Sequence, residues 1–298
     1  MNLHSLIGEK LADQLADIKN HENTTYTDSV IFHCYWNKEI EMNQLFSILS
    51  CYLTNVKDTN NKIILWTDFN IDLVKNKTIY LLLSEYCEIR YFNHIKERIE
   101  TPLDNHDVES GYLNIPSFYS DYVRLILLSK YGGMWFDLDI IFFKSFDYLF
   151  SNYDTFVMTW GSATHPNGPI FWSRNKELID EITNRFIKHG CGHLGFQDSF
   201  MDRGENQLHF SLESDLGLTV LPCGWFDPMF CVGIKDTIPE DWDFANWFKD
   251  NNNEYFYDDA YCYHWHNRNH LPIEENSPFA RRIKILIEEL GLQNIISS

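Results

Sequence analysis

Asp137 and Asp139 lie two residues apart in an otherwise apolar run, residues 134–143. If this run is a strand, its period of two places Trp135, Asp137 and Asp139 on one face. The Cα atoms of the two aspartates are then roughly 6.6 Å apart, so their carboxylates can share one hard divalent cation. A cation held there would stabilise the negative charge that develops on a departing diphosphate. The pair therefore predicts a leaving-group site.

An isolated Asp-x-Asp more often ends a strand and caps the following turn than binds a metal. Here the flanking residues are Phe, Leu and Ile. Burying two carboxylates among such residues is costly unless a cation or hydrogen-bond donors compensate their charge. The flanking residues therefore favour a bound ion.

Asp121 and Arg124 are three residues apart in a predicted helix and so share one face of it. They form either a surface ion pair, which would contribute little to stability, or a site for a sugar hydroxyl and a phosphate. The sequence leaves both interpretations open.

The elements that must position these residues alternate between strand and helix. Such β/α alternation predicts an α/β fold with a largely parallel sheet covered by helices on both faces. Residues 93–116 are polar and predict a loop. An amphipathic helix is predicted over residues 3–19, within an N-terminal extension of residues 1–28. The predicted strands are 30–36, 63–67, 88–92, 134–143, 156–160 and 218–221, and the predicted helices are 39–53, 71–86, 117–130, 175–188 and 277–290.

Composition excludes several classes of partner. The 298 residues are 44% hydrophobic and carry a formal net charge of −19, which would repel nucleic acid and anionic membranes. No apolar run reaches the roughly 18 to 20 residues of a spanning helix, and residues 1–20 lack the features of a signal peptide. The seven cysteines include no Cys-x-x-Cys pair and are interpreted as reduced thiols. We therefore expect a cytoplasmic protein.

Residues 120–139, SDYVRLILLSKYGGMWFDLD, resemble the signature of glycosyltransferases containing the DXD sugar-binding region. This group includes the fungal mannosyltransferases, the α-1,4-galactosyltransferase-like enzymes and, more distantly, the glucosylating domains of large clostridial toxins. Residues 31–36, IFHCYW, and 65–68, LWTD, resemble the first two strands of the family. The resemblance implies a GT-A-like, Rossmann-type nucleotide-sugar-binding fold over residues 29–298. Its donor-binding half would be 29–145 and its acceptor-binding half 146–298.

The resemblance also implies roles for individual residues. Trp36 would stack on the nucleobase, although an aromatic residue that closes a core strand is the open alternative. Asp121 and Arg124 would contact the donor sugar. Asp137 would contact the ribose and the hydrated metal, and Asp139 would ligate the metal directly.

Further implied positions lie around and beyond this signature. Trp135, which stands where relatives often have Tyr, is a candidate donor contact. In residues 262–268, CYHWHNR, His264 is the candidate third metal ligand and His266 the second choice. Residues 165–168, HPNG, and 195–198, GFQD, fall where the family places acceptor-facing loops, and Asp198 is a candidate general base or oxocarbenium stabiliser.

The function implied by the resemblance is metal-dependent transfer of a sugar, with retention, from a nucleotide donor. The donor is expected to be a UDP-sugar, the cofactor Mn²⁺ or Mg²⁺, and the acceptor a saccharide, glycoprotein or glycolipid. One alternative is a non-catalytic sugar-nucleotide-binding or scaffold protein. A phosphatase of the haloacid dehalogenase type also uses Asp-x-Asp, but its motif lies near the chain start and is followed by Thr. Here the motif lies far from the chain start and is followed by Ile140.

Overall fold

The computed structural model describes residues 16–21, 24–70, 76–106, 115–159, 166–190, 196, 199–200, 217–228, 248–250, 259–266 and 272–293. Seven strands form the central sheet in the order β3-β2-β1-β4-β7-β6-β8. β7 is antiparallel to both of its neighbours, and the other pairings are parallel. The predicted mostly parallel α/β fold is therefore confirmed. The strands are β1 (Ile31–Tyr35), β2 (Lys62–Thr67), β3 (Glu88–Tyr91), β4 (Gly133–Phe136), β6 (Thr155–Thr159), β7 (Pro166–Ser173) and β8 (Thr219–Leu221).

A second, antiparallel sheet lies beside the first. It pairs β5 (Ile140–Phe142) with β9 (Cys262–His264), so that Ile140 faces His264 across the ladder. The small sheet therefore joins the segment after Asp139 to a segment more than 120 positions later in the chain.

Helices cover both faces of the central sheet. Asn and Ser side chains cap the starts of α2, α3, α6 and α7, which satisfies backbone N–H groups that a helix leaves free. None of the helices in the described part of the chain is both long and apolar enough to cross a membrane. The α-helices are α1 (Met42–Cys51), α2 (Lys77–Tyr86), α3 (His94–Glu97), α4 (Pro116–Tyr131), α5 (Asp147–Asn152), α6 (Lys176–Lys188) and α7 (Pro278–Glu289).

The core is split between the two faces because successive strand residues point in opposite directions. Phe32 and Met134 belong to one apolar cluster, together with α1, α2, α5 and α7. Ile64 and Trp135 belong to the other, together with α4 and α6. Trp135 therefore faces α4, the helix that carries Asp121 and Arg124.

The single strand predicted over 134–143 is wrong. β4 ends at Phe136, residues 137–139 form a turn, and the chain resumes as β5 in the other sheet. The sequence is apolar throughout this run because β4 is buried in the central sheet and β5 is buried in the small sheet. An apolar pattern therefore does not reveal that the partner strand changes between them. Asp137 still binds the central sheet through its backbone N–H, which donates to the Pro169 carbonyl at 2.9 Å.

The loop predicted at residues 165–168 is also wrong over its described part. Pro166, Asn167 and Gly168 begin β7, a buried strand between β4 and β6. Pro-Asn-Gly is typical of turns, but a proline is tolerated at the first position of a strand, where its missing N–H costs least. The helices α3 and α5 and the strands β7 and β9 were not predicted.

Most of the predicted N-terminal helix lies outside the described residues. Residues 16–18 are helical, and Ile18 is buried against the main body. His21 follows in a short 3-10 turn, stacks on the Tyr148 ring and contacts the Tyr261 hydroxyl at 2.9 Å. The extension of residues 1–28 and the two halves of the domain remain predictions.

Candidate active site

The carboxyl ends of three parallel strands meet at one edge of the central sheet. Trp36 follows β1, Asp68 follows β2 and Asp137 follows β4. Trp36 and Asp137 are half-buried, and Asp68 is exposed. Ligands of open α/β sheets bind at this kind of edge, because loops there are free of the sheet ladder. The edge is therefore the candidate site.

A glycine turn brings α4 next to β4. Gly132 and Gly133 have φ of +63° and +94°, values that residues with a side chain rarely adopt. A Cβ on Gly133 would collide with the backbone carbonyl of Ile31 in β1. The Tyr-Gly-Gly turn thus lets β4 pair closely with β1 and places the α4 side chains above Asp137.

Two donors hold one oxygen of Asp137. The indole N–H of Trp135 donates to Asp137 Oδ1 at 2.7 Å, and Arg124 Nη2 donates to the same oxygen at 3.1 Å. In the described part of the chain, no side-chain donor binds the other oxygen, Oδ2. Trp135 is 1% exposed, so its side chain acts on the site through Asp137.

Arg124 is the hub of a buried polar network. Its guanidinium is 3.3 Å from Asp121 Oδ1, donates to the Gly168 carbonyl at 2.5 Å and lies between the rings of Trp135 and Phe196. The side chains of Asp121 and Arg124 are 7% and 5% exposed, so the surface ion-pair interpretation of these two residues is excluded. The Arg124 guanidinium contacts both Asp121 and Asp137, which places it to orient the Asp137 carboxylate.

Asp139 and His264 meet across the two-stranded sheet. His264 Nε2 lies 3.1 Å from Asp139 Oδ1, and the backbone N–H of Trp265 donates to the Asp139 carbonyl at 2.9 Å. Both side chains are buried. The pairing of β5 with β9 therefore places His264 against the second aspartate of the motif, and its role as a metal ligand stays a prediction.

The charges in this cluster are mutually dependent. Burial raises the pKa of Asp137; the Arg124 guanidinium opposes that shift, and the Asp139 carboxylate adds to it. Burial would also raise the pKa of Asp139, but His264 outweighs it and holds this pKa below its usual value. Burial by itself lowers the pKa of His264, whereas the carboxylates, first Asp139 and then Asp227, raise it to about 9. The carboxylates on both sides of the His264 ring thus favour a positive charge at this position.

The donor set fits a divalent cation. Asp137, Asp139 and His264 each offer one ligand atom, and these atoms lie within 4.8 Å of one another. Asp139 Oδ1 is buried beside His264 Nε2 at 3.1 Å, and a cation bound between these two groups would compensate the charge of the carboxylate. Carboxylate oxygens suit Mg²⁺ and Mn²⁺, and an imidazole nitrogen favours a transition metal.

Two residues behind His264 complete the cluster. Asp227 is fully buried, and its Oδ2 lies 2.6 Å from His266 Nε2 and 3.7 Å from His264 Nδ1. The sequence analysis ranked His266 behind His264 and missed Asp227. A lone Asp in the run Trp-Phe-Asp carries no spacing signal, because its partners lie almost 40 positions away.

The remaining predicted residues are only partly described. Trp36 is half-buried, and its indole N–H donates to the Glu39 carbonyl at 3.3 Å; stacking of its ring on a nucleobase stays a prediction. Asp198 lies outside the described residues. Phe196, from the same predicted loop, packs on Arg124.

Comparison with known proteins gives one family match. Residues 26–156 match the model of the glycosyltransferase sugar-binding region containing the DXD motif. No match was found among curated protein sequences. The matched segment runs from before β1 into β6, and contains Trp36, Asp121, Arg124 and both aspartates of the motif.

Three solved structures are distantly similar. The PaToxG glycosyltransferase is 16% identical, with a TM-score of 0.44 over 66% of this chain and 77% of that one. Mouse xyloside xylosyltransferase 1 is 13% identical, with a TM-score of 0.40 over 66% and 86% of the two chains. The bacterial N-acetylglucosamine transferase NleB is 12% identical, with a TM-score of 0.33 over 58% and 81%.

Proposed function

We propose that this chain is a glycosyltransferase of the family that contains the DXD sugar-binding region, and that it moves a sugar from a nucleoside-diphosphate donor with a divalent metal. The proposed donor is a UDP-sugar, the proposed metal is Mn²⁺ or Mg²⁺, and the proposed acceptor is a saccharide, glycoprotein or glycolipid. The observation that carries the proposal is the convergence of Asp137, Asp139 and His264 within the candidate site.

The charge balance of the site supports metal dependence. A nucleoside diphosphate brings negative charge to an edge that already holds Asp68, Asp137 and Asp139. Among the described residues, Arg124 supplies a positive charge at this site, but its guanidinium already pairs with the carboxylates of Asp121 and Asp137. A bound divalent ion would neutralise the diphosphate as it leaves with the bonding electrons.

We assign the following roles within this proposal. Asp139 and His264 hold the metal, and Asp137 contacts it through Oδ2, the oxygen that Trp135 and Arg124 leave open. Trp135 and Arg124 act as positioning residues for Asp137.

The donor's other groups would be held by residues around this centre. Asp121 would accept a hydroxyl of the donor sugar, and Trp36 would stack on the base. Asp198 stays a candidate for stabilising the oxocarbenium-like transition state. Retention at the anomeric carbon and a cytoplasmic location complete the proposal. Retention rests on the family resemblance, and the five cysteines described as free thiols support a reducing location.

The first test is thermal unfolding of the purified chain with nucleoside diphosphates and nucleotide sugars, with and without Mn²⁺. A ligand that binds only the native state raises the melting temperature, so a rise that requires both Mn²⁺ and one nucleotide would support the donor site and identify the base. Release of that nucleoside diphosphate from its sugar, abolished by a chelator and restored by Mn²⁺, would then establish turnover.

Two other outcomes would redirect the proposal. Metal-dependent binding with no release of nucleotide would favour a sugar-nucleotide-binding or scaffold protein. No melting shift with any nucleotide would mean that Asp137 and Asp139 are structural, and the proposed function would be abandoned.

A further inference from the structure

His264 has a carboxylate on each side of its ring. Nε2 faces Asp139 at 3.1 Å, and Nδ1 faces Asp227 at 3.7 Å. Nδ1 is buried and makes no hydrogen bond to the described residues. The two ring nitrogens therefore have different neighbours, one belonging to the candidate metal site and one to the protein interior.

Asp227 is held firmly in place. Its backbone N–H donates to the Cys223 carbonyl at 2.7 Å, at the end of the 3-10 turn Cys223–Trp225. Its Oδ2 contacts His266 Nε2 at 2.6 Å, and the His266 ring stacks on the His264 ring with centroids 3.9 Å apart. Asp227 thus faces the Nδ1 edge of His264, and the His266 ring lies against the face of the His264 ring.

The backbone of His266 indicates that this contact is maintained against strain. Its φ is +52°, in the left-handed region, which residues with a Cβ rarely adopt. The chain thus takes an unfavourable backbone conformation at the residue whose ring contacts Asp227.

A neutral imidazole has one lone pair and one N–H. If Nε2 of His264 gives its lone pair to a cation beside Asp139, Nδ1 must carry the proton and needs an acceptor. A carboxylate in that position fixes the tautomer and the ring orientation of a ligating histidine and makes it a better ligand. Asp227 is placed for that task.

We propose that Asp227, held by His266, is a positioning residue that aims His264 Nε2 at the cation site of Asp137 and Asp139. The proposal rests on the proposed function, because it needs a metal at that site. It adds to the reaction a buried carboxylate that touches neither the donor nor the metal.

Asp227, His264 and His266 also lie close enough together to hold a second cation. The positioning role is favoured because His264 has one lone pair to give and Asp139 lies nearer than Asp227. Occupation of such a second site is an outcome of the test.

The test measures Mn²⁺ affinity in the presence of UDP on the full chain, from the paramagnetic resonance signal of free Mn²⁺. We expect Asp227→Ala to weaken Mn²⁺ binding by roughly tenfold to a hundredfold. Asp227→Asn should be milder, because its amide oxygen can still accept from Nδ1–H. Thr183→Val is the matched control, since Thr183 is buried in α6 and its hydroxyl binds the Ile179 carbonyl of the same helix. The control should bind Mn²⁺ as the unmodified chain does.

A double-mutant cycle separates positioning from a general loss of structure. If Asp227 acts through His264, Asp227→Ala should change Mn²⁺ affinity little once His264 is already Ala. An undiminished effect of Asp227→Ala in that background would overturn the proposal, and so would unchanged affinity in the single variant. Asp227→Asn keeps the cycle measurable if the alanine variant does not fold.

Two further results have distinct meanings. Two equivalents of Zn²⁺ bound to the unmodified chain, one of them lost in Asp227→Asn, would replace the positioning role by a second metal site. Failure of the unmodified chain to bind Mn²⁺ with any nucleotide would overturn the proposed function itself, and the positioning role with it.

Discussion

The carbonyl oxygen of Gly168 in β7 accepts a hydrogen bond from Arg124 Nη1 at 2.5 Å. A Cβ at residue 168 would lie 2.7 Å from that nitrogen and 2.7 Å from Phe196 Cζ. Any side chain at residue 168 must therefore displace Arg124 or Phe196. The strand that was predicted to be an acceptor-facing loop instead sets the position of the arginine that holds Asp137.

We expect Gly168→Ala to lower the turnover of the proposed reaction by about tenfold or more, because displacement of Arg124 releases Asp137 Oδ1. Nucleotide release and the melting temperature should be measured together. Gly190→Ala is the control for a Gly-to-Ala change that displaces no neighbour, since a Cβ there meets nothing within 4 Å. Its φ of +89° makes the alanine strained, so this control should lower the melting temperature but not turnover. Full activity in folded Gly168→Ala would show that the Arg124 contact does not matter for turnover.

Asp139→Asn should reduce metal-dependent turnover by roughly a hundredfold or more, since charge stabilisation by the metal contributes several kcal/mol. The amide keeps the size of the side chain, so the protein should remain folded by near-ultraviolet circular dichroism. Asp154→Asn is the control, because Asp154 is 69% exposed and pairs with Arg174 at the surface. Unchanged turnover in Asp139→Asn would contradict the metal-site assignment.

His33 gives a pH-dependent contribution to stability. Its Nδ1 accepts from the Trp66 indole at 3.0 Å, so Nε2 carries the proton and donates to the Gly132 carbonyl at 3.1 Å. Burial lowers the pKa of His33 from 6.5 to about 3. Between these pH values the unfolded state binds more protons than the native state. The contribution of His33 to the free energy of unfolding is therefore fully present above about pH 6.5 and is lost as the pH falls.

Below pH 6, we expect His33 to make the free energy of unfolding fall by up to about 1.4 kcal/mol for each pH unit. Urea titrations at pH 7, 6 and 5 should show a smaller slope in His33→Gln than in the unmodified chain. The variant should also be less stable at pH 7 by about 1–3 kcal/mol, because the Trp66 indole loses its acceptor. Equal slopes in His33→Gln and in the unmodified chain would refute the assignment.

Asn175→Ala should destabilise the chain by about 1 kcal/mol without changing Mn²⁺ or nucleotide binding. Asn175 is exposed, and its side chain accepts a hydrogen bond from the Leu178 N–H at the start of α6. Asn175→Ser can still cap the helix and should restore most of the loss. A loss of nucleotide binding in the alanine variant would instead connect α6 with the site.

Local sequence patterns were enough to predict the features that depend on neighbours along the chain. Strand and helix periods were sufficient for the mostly parallel fold, because apolar residues at those spacings must face a common core. The motif of Asp137 and Asp139 and the helix pair of Asp121 and Arg124 were found for the same reason, as each is defined by a short spacing. The family match over residues 26–156 agrees with these local patterns.

Contacts between residues far apart in sequence follow from the fold and not from any local pattern. The break between β4 and β5, the strand at Gly168 and the burial of Asp227 behind His264 depend on pairings between segments far apart in sequence. No local period encodes the partner of a strand, and a lone carboxylate has the same sequence signature in a loop as in a core. The direction in which His264 points was therefore settled by the packing of β9 and the Asp227 turn around it.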